Sequence, residues 1–136
     1  IPIGSWGTLK SGTDAYLVSM GPILEQLVQL AEELSEKEGI NVGVINARFI
    51  KPLDTNCLDE LARKQVPLIV YEESAMVGGL GTAMLEYYNE TNQTVAMKRL
   101  GVPDLYVQHG NVNEVLEELH LSLKDIKEEI KIAIKK

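Results

Sequence analysis

Cysteine, aromatic residues, long apolar runs and excess positive charge are all scarce in this 136-residue chain. A single cysteine, Cys57, can form neither an internal disulfide nor a cysteine-rich zinc site, which favours a reducing, cytoplasmic compartment. No apolar run approaches the roughly 18 residues that a membrane helix needs. A net charge of −7 argues against nucleic acid and anionic membrane surfaces as partners. With aromatics at 5%, aliphatic side chains must fill the core.

Hydrophobic periodicity predicts strands alternating with helices. The pattern is typical of βαβ units, which give a mainly parallel sheet covered by helices on both faces. The predicted strands are 14–20, 41–47, 67–71 and 94–100, with a short extended piece at 105–107. The predicted helices follow Pro22, Asp54, the glycines at 78–81, Asn113 and Ser122. Residues 1–13 are expected to be a lead-in linker to a domain at 14–136. Because the chain opens without Met, it is expected to be a piece of a longer protein.

The stretch most suggestive of function follows the third predicted strand. Glu72 and Glu73 follow that strand directly, and Gly78-Gly79-Leu80-Gly81 lies between them and the next helix. Ligands of open α/β sheets bind at the carboxyl ends of strands. The loop N–H groups could face an anion, but neither the Walker motif nor the dinucleotide fingerprint is present. Close packing against another domain is the favoured interpretation of the glycines.

The two glutamates are candidates for an acid and a base, but alternation along the strand places them on opposite faces. One exposed carboxylate and one that accepts loop N–H bonds is therefore favoured. Arg48 and Lys51 follow the second strand, where they could meet a phosphate, an acidic neighbour or another domain. Asp104 and His109 lie in a turn-rich segment without a serine nucleophile elbow. Cys57 is expected to be a structural thiol.

Three segments together resemble a known family. They are residues 47–54 (ARFIKPLD), residues 72–73 with 78–81 (EE and GGLG), and residues 100–104 with 109–110 (LGVPD and HG). In this order they resemble the C-terminal domain of thiamine-diphosphate enzymes of the transketolase type. The third segment, with Pro2-Ile3-Gly4, is similar to the 1-deoxy-D-xylulose-5-phosphate synthase family in particular. Val102 departs from that pattern, which often has leucine there.

The resemblance implies a three-layer α/β/α domain with about five strands, one of them antiparallel. It implies the third domain of a dimeric transferase that condenses pyruvate with D-glyceraldehyde 3-phosphate and releases carbon dioxide, in isoprenoid and thiamine biosynthesis. In that family the ligands of thiamine diphosphate and Mg²⁺ lie in the first domain and the carboxylate that activates the cofactor lies in the second, so no catalytic, cofactor-binding or metal-ligating residue is expected here. This fragment is expected to be inactive alone and to support assembly and dimerisation. Its expected interface or anion-contact residues are Arg48, Lys51, Glu73, Gly78, Gly79, Gly81, Asp104 and His109.

Two alternatives remain open. One is the corresponding domain of a 2-oxoacid dehydrogenase beta subunit, which shares the first two segments in looser form. The other is a regulatory module that uses Arg48, Lys51 and the loop amides to bind a phosphorylated metabolite.

Overall fold

Among the residues that the structure describes, five strands form one sheet in the order β1-β3-β2-β4-β5. The computed structural model describes residues 5–48, 53–72, 79–101 and 123–135. The strands are β1 (Gly7–Lys10), β2 (Ala15–Ser19), β3 (Val42–Asn46), β4 (Leu68–Glu72) and β5 (Met97–Gly101). The helices are α1 (Ile23–Glu38), α2 (Thr55–Lys64), α3 (Leu80–Glu90) and α4 (Leu123–Ile134). The predicted piece at 105–107 and the helix predicted from Asn113 lie outside the described residues.

Strands β2 to β5 are parallel to one another, whereas β1 is antiparallel to β3. All five residues of β2 and of β4 are buried, as expected for central strands with a helix layer on each face. The apolar side chains of such strands serve two cores at once. In β2, Leu17 belongs to one core and Tyr16 and Val18 to the other.

The two cores lie on opposite faces of the sheet. Helices α1 and α4 cover one face, where Leu27, Leu34 and Ile130 are fully buried. Helices α2 and α3 cover the other, where Leu58, Met84 and Tyr88 pack on the sheet. The observed architecture is thus the three-layer α/β/α arrangement with a mostly parallel sheet of five strands, as the sequence predicts.

The expectation that residues 1–13 form a linker is wrong at Gly7–Lys10, which form the edge strand β1. Thr8 pairs with Ile45, and the register shifts between Thr8 and Lys10. This strand is short, and its two middle residues are exposed, so it lacks the apolar run that identified the other strands. Trp6, which precedes it, is only 7% exposed and anchors the segment in the core.

The four described helices begin at or next to the positions that the sequence predicts. Gly39 adopts the left-handed conformation (φ 68°) at the end of α1, and its N–H donates to the Leu34 carbonyl. Asp54 caps α2. The fourth predicted strand begins three residues later than expected, at Met97. Its charged residues are tolerated because β5 lies at the sheet edge, where Lys98 is within 3.8 Å of Glu129 of α4.

Candidate functional site

Glu72 ends β4 and closes the amino-terminal end of the next helix. Its side chain is buried, at 8% exposure. Oε1 accepts a hydrogen bond from the Leu80 N–H at 2.7 Å, and Oε2 accepts one from the Gly81 N–H at 3.1 Å. These N–H groups belong to the first turn of α3, which has no partner within the helix for them and carries the positive end of the helix dipole. A buried carboxylate therefore occupies the place where an external anion would bind.

Arg99 of β5 brings a positive charge to the same carboxylate. Its Nη2 lies 3.6 Å from Glu72 Oε2 and donates a hydrogen bond of 2.9 Å to Thr82 Oγ1. The Arg99 side chain is 26% exposed, so it lies at the rim of the buried group. Arg99 pairs with Val70 in the parallel register of β4 and β5. This pairing places the Arg99 side chain beside the end of β4, where Glu72 lies. We refer to Glu72, Gly79, Gly81, Thr82 and Arg99 as the carboxyl-edge corner.

Gly81 is required by the close approach of these side chains. A Cβ at this position would lie 3.0 Å from Glu72 Oε2 and would overlap the Arg99 side chain at Nε. Glycine thus allows the carboxylate and the guanidinium to reach the helix backbone. The sequence predicts that the loop glycines allow close packing against another domain. At Gly81 the groups that approach are the Arg99 and Glu72 side chains of this same domain.

The structure confirms one part of the expectation for the paired glutamates. Glu72 is the carboxylate that accepts loop N–H bonds, as favoured from the sequence. It also changes the interpretation of the glycine loop, since two of its N–H groups bond to Glu72 and are not directed to an external anion. Glu73 and Gly78 lie outside the described residues and remain predictions. Gly79 is the N-cap of α3 and provides no side-chain cap.

Arg48 lies apart from the corner. It follows β3, which is separated from β4 by β2, so roughly 10 Å of sheet lies between the two strands. Its Nη1 donates to the Ser5 carbonyl at 3.0 Å, and its guanidinium lies against Gly7. Arg48 therefore contacts the backbone just before β1. Its predicted partners were a phosphate, an acidic side chain or another domain, and the Ser5 carbonyl is none of these. Lys51, Asp104 and His109, which completed the set of candidates, lie outside the described residues.

Sequence reasoning missed Arg99 and Thr82 as members of the corner. Arg99 lies in the fourth predicted strand, where its charge interrupts the apolar pattern. A cation in an edge strand beside a strand that ends in an acid is the signal that could have found it. Ser19 was missed as well: its buried Oγ donates to the Tyr71 carbonyl at 2.7 Å, which ties β2 to the end of β4.

A cavity of about 550 Å³ lies between β1 and α2. At its wall, Asp54 accepts hydrogen bonds from the Trp6 N–H at 2.7 Å and the Cys57 N–H at 3.0 Å. Burial, with the nearby Asp54 and Glu60 carboxylates, raises the pKa of the Cys57 thiol to about 11. The thiol is therefore protonated at neutral pH, which agrees with the structural role predicted for it.

Metal ligands and free helix amides are scarce in the part of the chain that the structure describes. No cluster of three or more His, Cys, Asp or Glu side chains that could hold a metal ion occurs within these ranges. The N-terminal amides of α3, which could have bound a phosphate, already bind Glu72. No helix in the described part of the chain is long and apolar enough to cross a membrane.

Comparison with known proteins gives the family. Residues 4–126 match the family described as "Transketolase, C-terminal domain". The chain belongs to this family. It is 43% identical over 123 residues to 1-deoxy-D-xylulose-5-phosphate synthases from Bacillus cereus (strain AH187) and Bacillus anthracis. The match covers 90% of this chain and 19% of each synthase, so the chain spans about a fifth of the length of these curated relatives.

Solved structures show the same transketolase C-terminal fold. A split-gene transketolase, described as an inactive β4 tetramer, superposes with a TM-score of 0.85 at 28% identity, covering 99% of this chain and 44% of that one. A mutant transketolase from Pichia stipitis superposes with a TM-score of 0.62 at 15% identity, covering 97% of this chain and 18% of that one, which supports the fold alone. The family match also begins before β1, in agreement with the place of that strand in the sheet.

Proposed function

We propose that this chain is the C-terminal domain of a 1-deoxy-D-xylulose-5-phosphate synthase. Such an enzyme joins two carbons of pyruvate to D-glyceraldehyde 3-phosphate and releases the pyruvate carboxylate as carbon dioxide. The carrying observation is the 43% identity to the Bacillus synthases, against 28% to the split-gene transketolase. The segments at 100–104 and 109–110 support the same choice over a 2-oxoacid dehydrogenase beta subunit.

The proposed role of this domain is assembly, not chemistry. Thiamine diphosphate, which stabilises the carbanion when bound, and Mg²⁺ would be held by the two preceding domains. The charged groups at the described carboxyl edge support this division, because they bind within the domain. Glu72 bonds to α3 and Arg99, and Arg48 bonds to the Ser5 carbonyl.

The proposed partners are the two missing domains of the same protein, within a cytoplasmic homodimer. The corner would contact those domains, together with the predicted contacts Glu73 and Gly78. The split-gene transketolase supports this proposal. That protein carries the same fold and is described as an inactive β4 tetramer, so copies of it associate with one another without forming an active enzyme.

A reconstitution experiment tests the proposal. The chain is mixed with a polypeptide that contains the two missing domains, and formation of 1-deoxy-D-xylulose 5-phosphate is followed with thiamine diphosphate and Mg²⁺ present. We expect activity to depend on the added chain and the chain alone to be inactive. The matched control is the same mixture with heat-denatured chain. Full turnover by the two-domain polypeptide alone, with no gain on adding the chain, would refute the assembly role.

The geometry disfavours the alternative of a phosphate-binding regulatory module. That module would use Arg48, Lys51 and the loop amides. Arg48 donates to the Ser5 carbonyl, and the Leu80 and Gly81 N–H groups donate to Glu72, which leaves these groups less suited to an external phosphate. Calorimetry of the chain with D-glyceraldehyde 3-phosphate separates the two functions, since micromolar binding would favour the module.

A further inference from the structure

Glu72 is unusual among the described residues because it is a charged side chain buried in the domain. Within these residues, the buried polar or charged side chains are Ser19 and Glu72. A buried carboxylate is costly unless hydrogen bonds and an opposite charge compensate it. Two backbone N–H groups and the Arg99 guanidinium provide that compensation. The cluster therefore links β4, β5 and α3 through a single carboxylate.

The start of α3 depends on this carboxylate more than an ordinary helix start would. Its N-cap, Gly79, makes no side-chain cap, and its first turn contains no acidic residue. Glycine also loses more conformational freedom on folding than other residues do. A first turn that contains Gly79 and Gly81 would therefore fray unless a side chain outside the helix accepted hydrogen bonds from its N–H groups. Glu72, eight residues before Leu80 in the chain, is that acceptor.

We propose that Glu72, supported by Arg99, is a positioning residue that orders the carboxyl-edge corner before the partner domains bind. This inference rests on the proposed assembly function. An interface that is already ordered binds more tightly, because docking need not then order flexible backbone. Ordering one residue corresponds to roughly tenfold in affinity. Loss of the Glu72 carboxylate is therefore expected to weaken docking by about tenfold or more.

The test measures affinity between the chain and the two-domain polypeptide by calorimetry. Wild type is compared with Glu72→Ala and with Glu72→Gln, which keeps the size but not the charge. Ser19→Ala is the matched control, since it removes another buried hydrogen bond, which goes to the Tyr71 carbonyl and not to an N–H group of α3. Each measurement on Glu72→Ala is repeated with added sodium formate, and with sodium chloride at equal ionic strength. Formate can replace the lost carboxylate, whereas chloride reproduces only the salt.

The expected result is weaker docking for both Glu72 variants, little change for Ser19→Ala, and restoration of Glu72→Ala by formate only. Equal affinities of wild type and the Glu72 variants would overturn the inference and leave the assembly function standing. A Ser19→Ala chain that loses as much affinity would also overturn it, because general stability would then explain the effect. If wild type itself does not bind, the assembly function fails, and this inference fails with it.

Arg99→Gln covers the case in which the Glu72 variants do not fold. The Arg99 side chain is partly exposed, so its replacement is the milder change to the same cluster. We expect weaker docking from this variant too, and unchanged docking would contradict the proposal.

Discussion

Substitution of Gly81 by alanine is the sharpest test of the carboxyl-edge corner. Helix propensity and steric overlap predict changes of opposite sign in the free energy of unfolding. Gly81 is the second residue of α3 and is buried. Alanine is the better helix former, so propensity alone predicts a gain of about 1 kcal/mol. The new Cβ, however, would lie 3.0 Å from Glu72 Oε2 and would overlap Arg99 at Nε.

The steric effect is expected to exceed the gain in propensity. Forcing an extra methyl group into a packed site costs about 1–3 kcal/mol. The overlapped atom is Nε of the guanidinium, and Cδ lies 3.0 Å from the same point, so the whole planar group must shift to make room. Moving it also weakens the contacts with Thr82 and Glu72, and a hydrogen bond to a charged group is worth about 1.5–3 kcal/mol. We expect Gly81→Ala to lower the free energy of unfolding by about 2 kcal/mol.

Urea unfolding of the chain followed by circular dichroism measures this change. The matched controls are Arg99→Ala and the double variant Gly81→Ala with Arg99→Ala. Truncation of Arg99 leaves space for the Cβ, so the double variant should be more stable than the sum of the single effects by at least about 1 kcal/mol. A Gly81→Ala chain more stable than wild type, or strictly additive effects, would refute the reasoning.

Three further predictions concern the rest of the domain. Asp54→Ala should cost about 1–2 kcal/mol in urea unfolding through loss of the α2 cap. Asp54→Asn should recover only part of that loss, because its single amide oxygen can accept from the Cys57 N–H but not also from the Trp6 N–H; an Asp54→Ala chain as stable as wild type would contradict the capping role. Alkylation of Cys57 by iodoacetamide should be slow at pH 7 and accelerate toward pH 11, since its thiol pKa is raised to about 11; rapid labelling at neutral pH would count against this. The hydrogen bond from Lys127 lowers the pKa of Glu33, so the stability from this pair is present above the unfolded value of 4.5 and is lost as pH falls through the folded value. In Lys127→Gln, the free energy of unfolding should therefore fall less steeply as the pH is lowered. Urea unfolding at a series of acidic pH values tests this, and the same pH dependence as wild type would exclude the pair as the source.

The parts of the fold that the sequence predicts are those with local signals. Helix α1 follows a Gly-Pro pair and ends at a glycine, and its apolar residues recur at steps of three and four, so both ends and the buried face were predictable. Strand β4 is a continuous apolar run, which indicates a strand covered on both faces. Asp54 precedes the second predicted helix, and in the structure its side chain accepts the Cys57 N–H and caps α2.

The parts that the sequence did not predict depend on contacts between distant residues. Strand β1 has no apolar pattern and is a strand because β3 pairs with it. Arg48 looked like a phosphate or interface residue, yet it binds the Ser5 carbonyl, 43 residues earlier. Arg99 is 27 residues after Glu72 and meets it only because β4 and β5 are neighbours in the sheet. Contacts between residues so far apart in the chain cannot be predicted from a local sequence pattern.

Two helices of this domain begin with an internal acid where many α/β proteins bind phosphate. Asp54 accepts the Cys57 N–H at the start of α2, and Glu72 accepts the Leu80 and Gly81 N–H groups at the start of α3. Each carboxylate satisfies amides that an anionic ligand would otherwise need. A glycine-rich turn after a strand therefore does not by itself indicate a phosphate site when a nearby acid can reach the same amides. In this domain the internal acids favour a structural use of the carboxyl edge, which agrees with the proposed role in assembly.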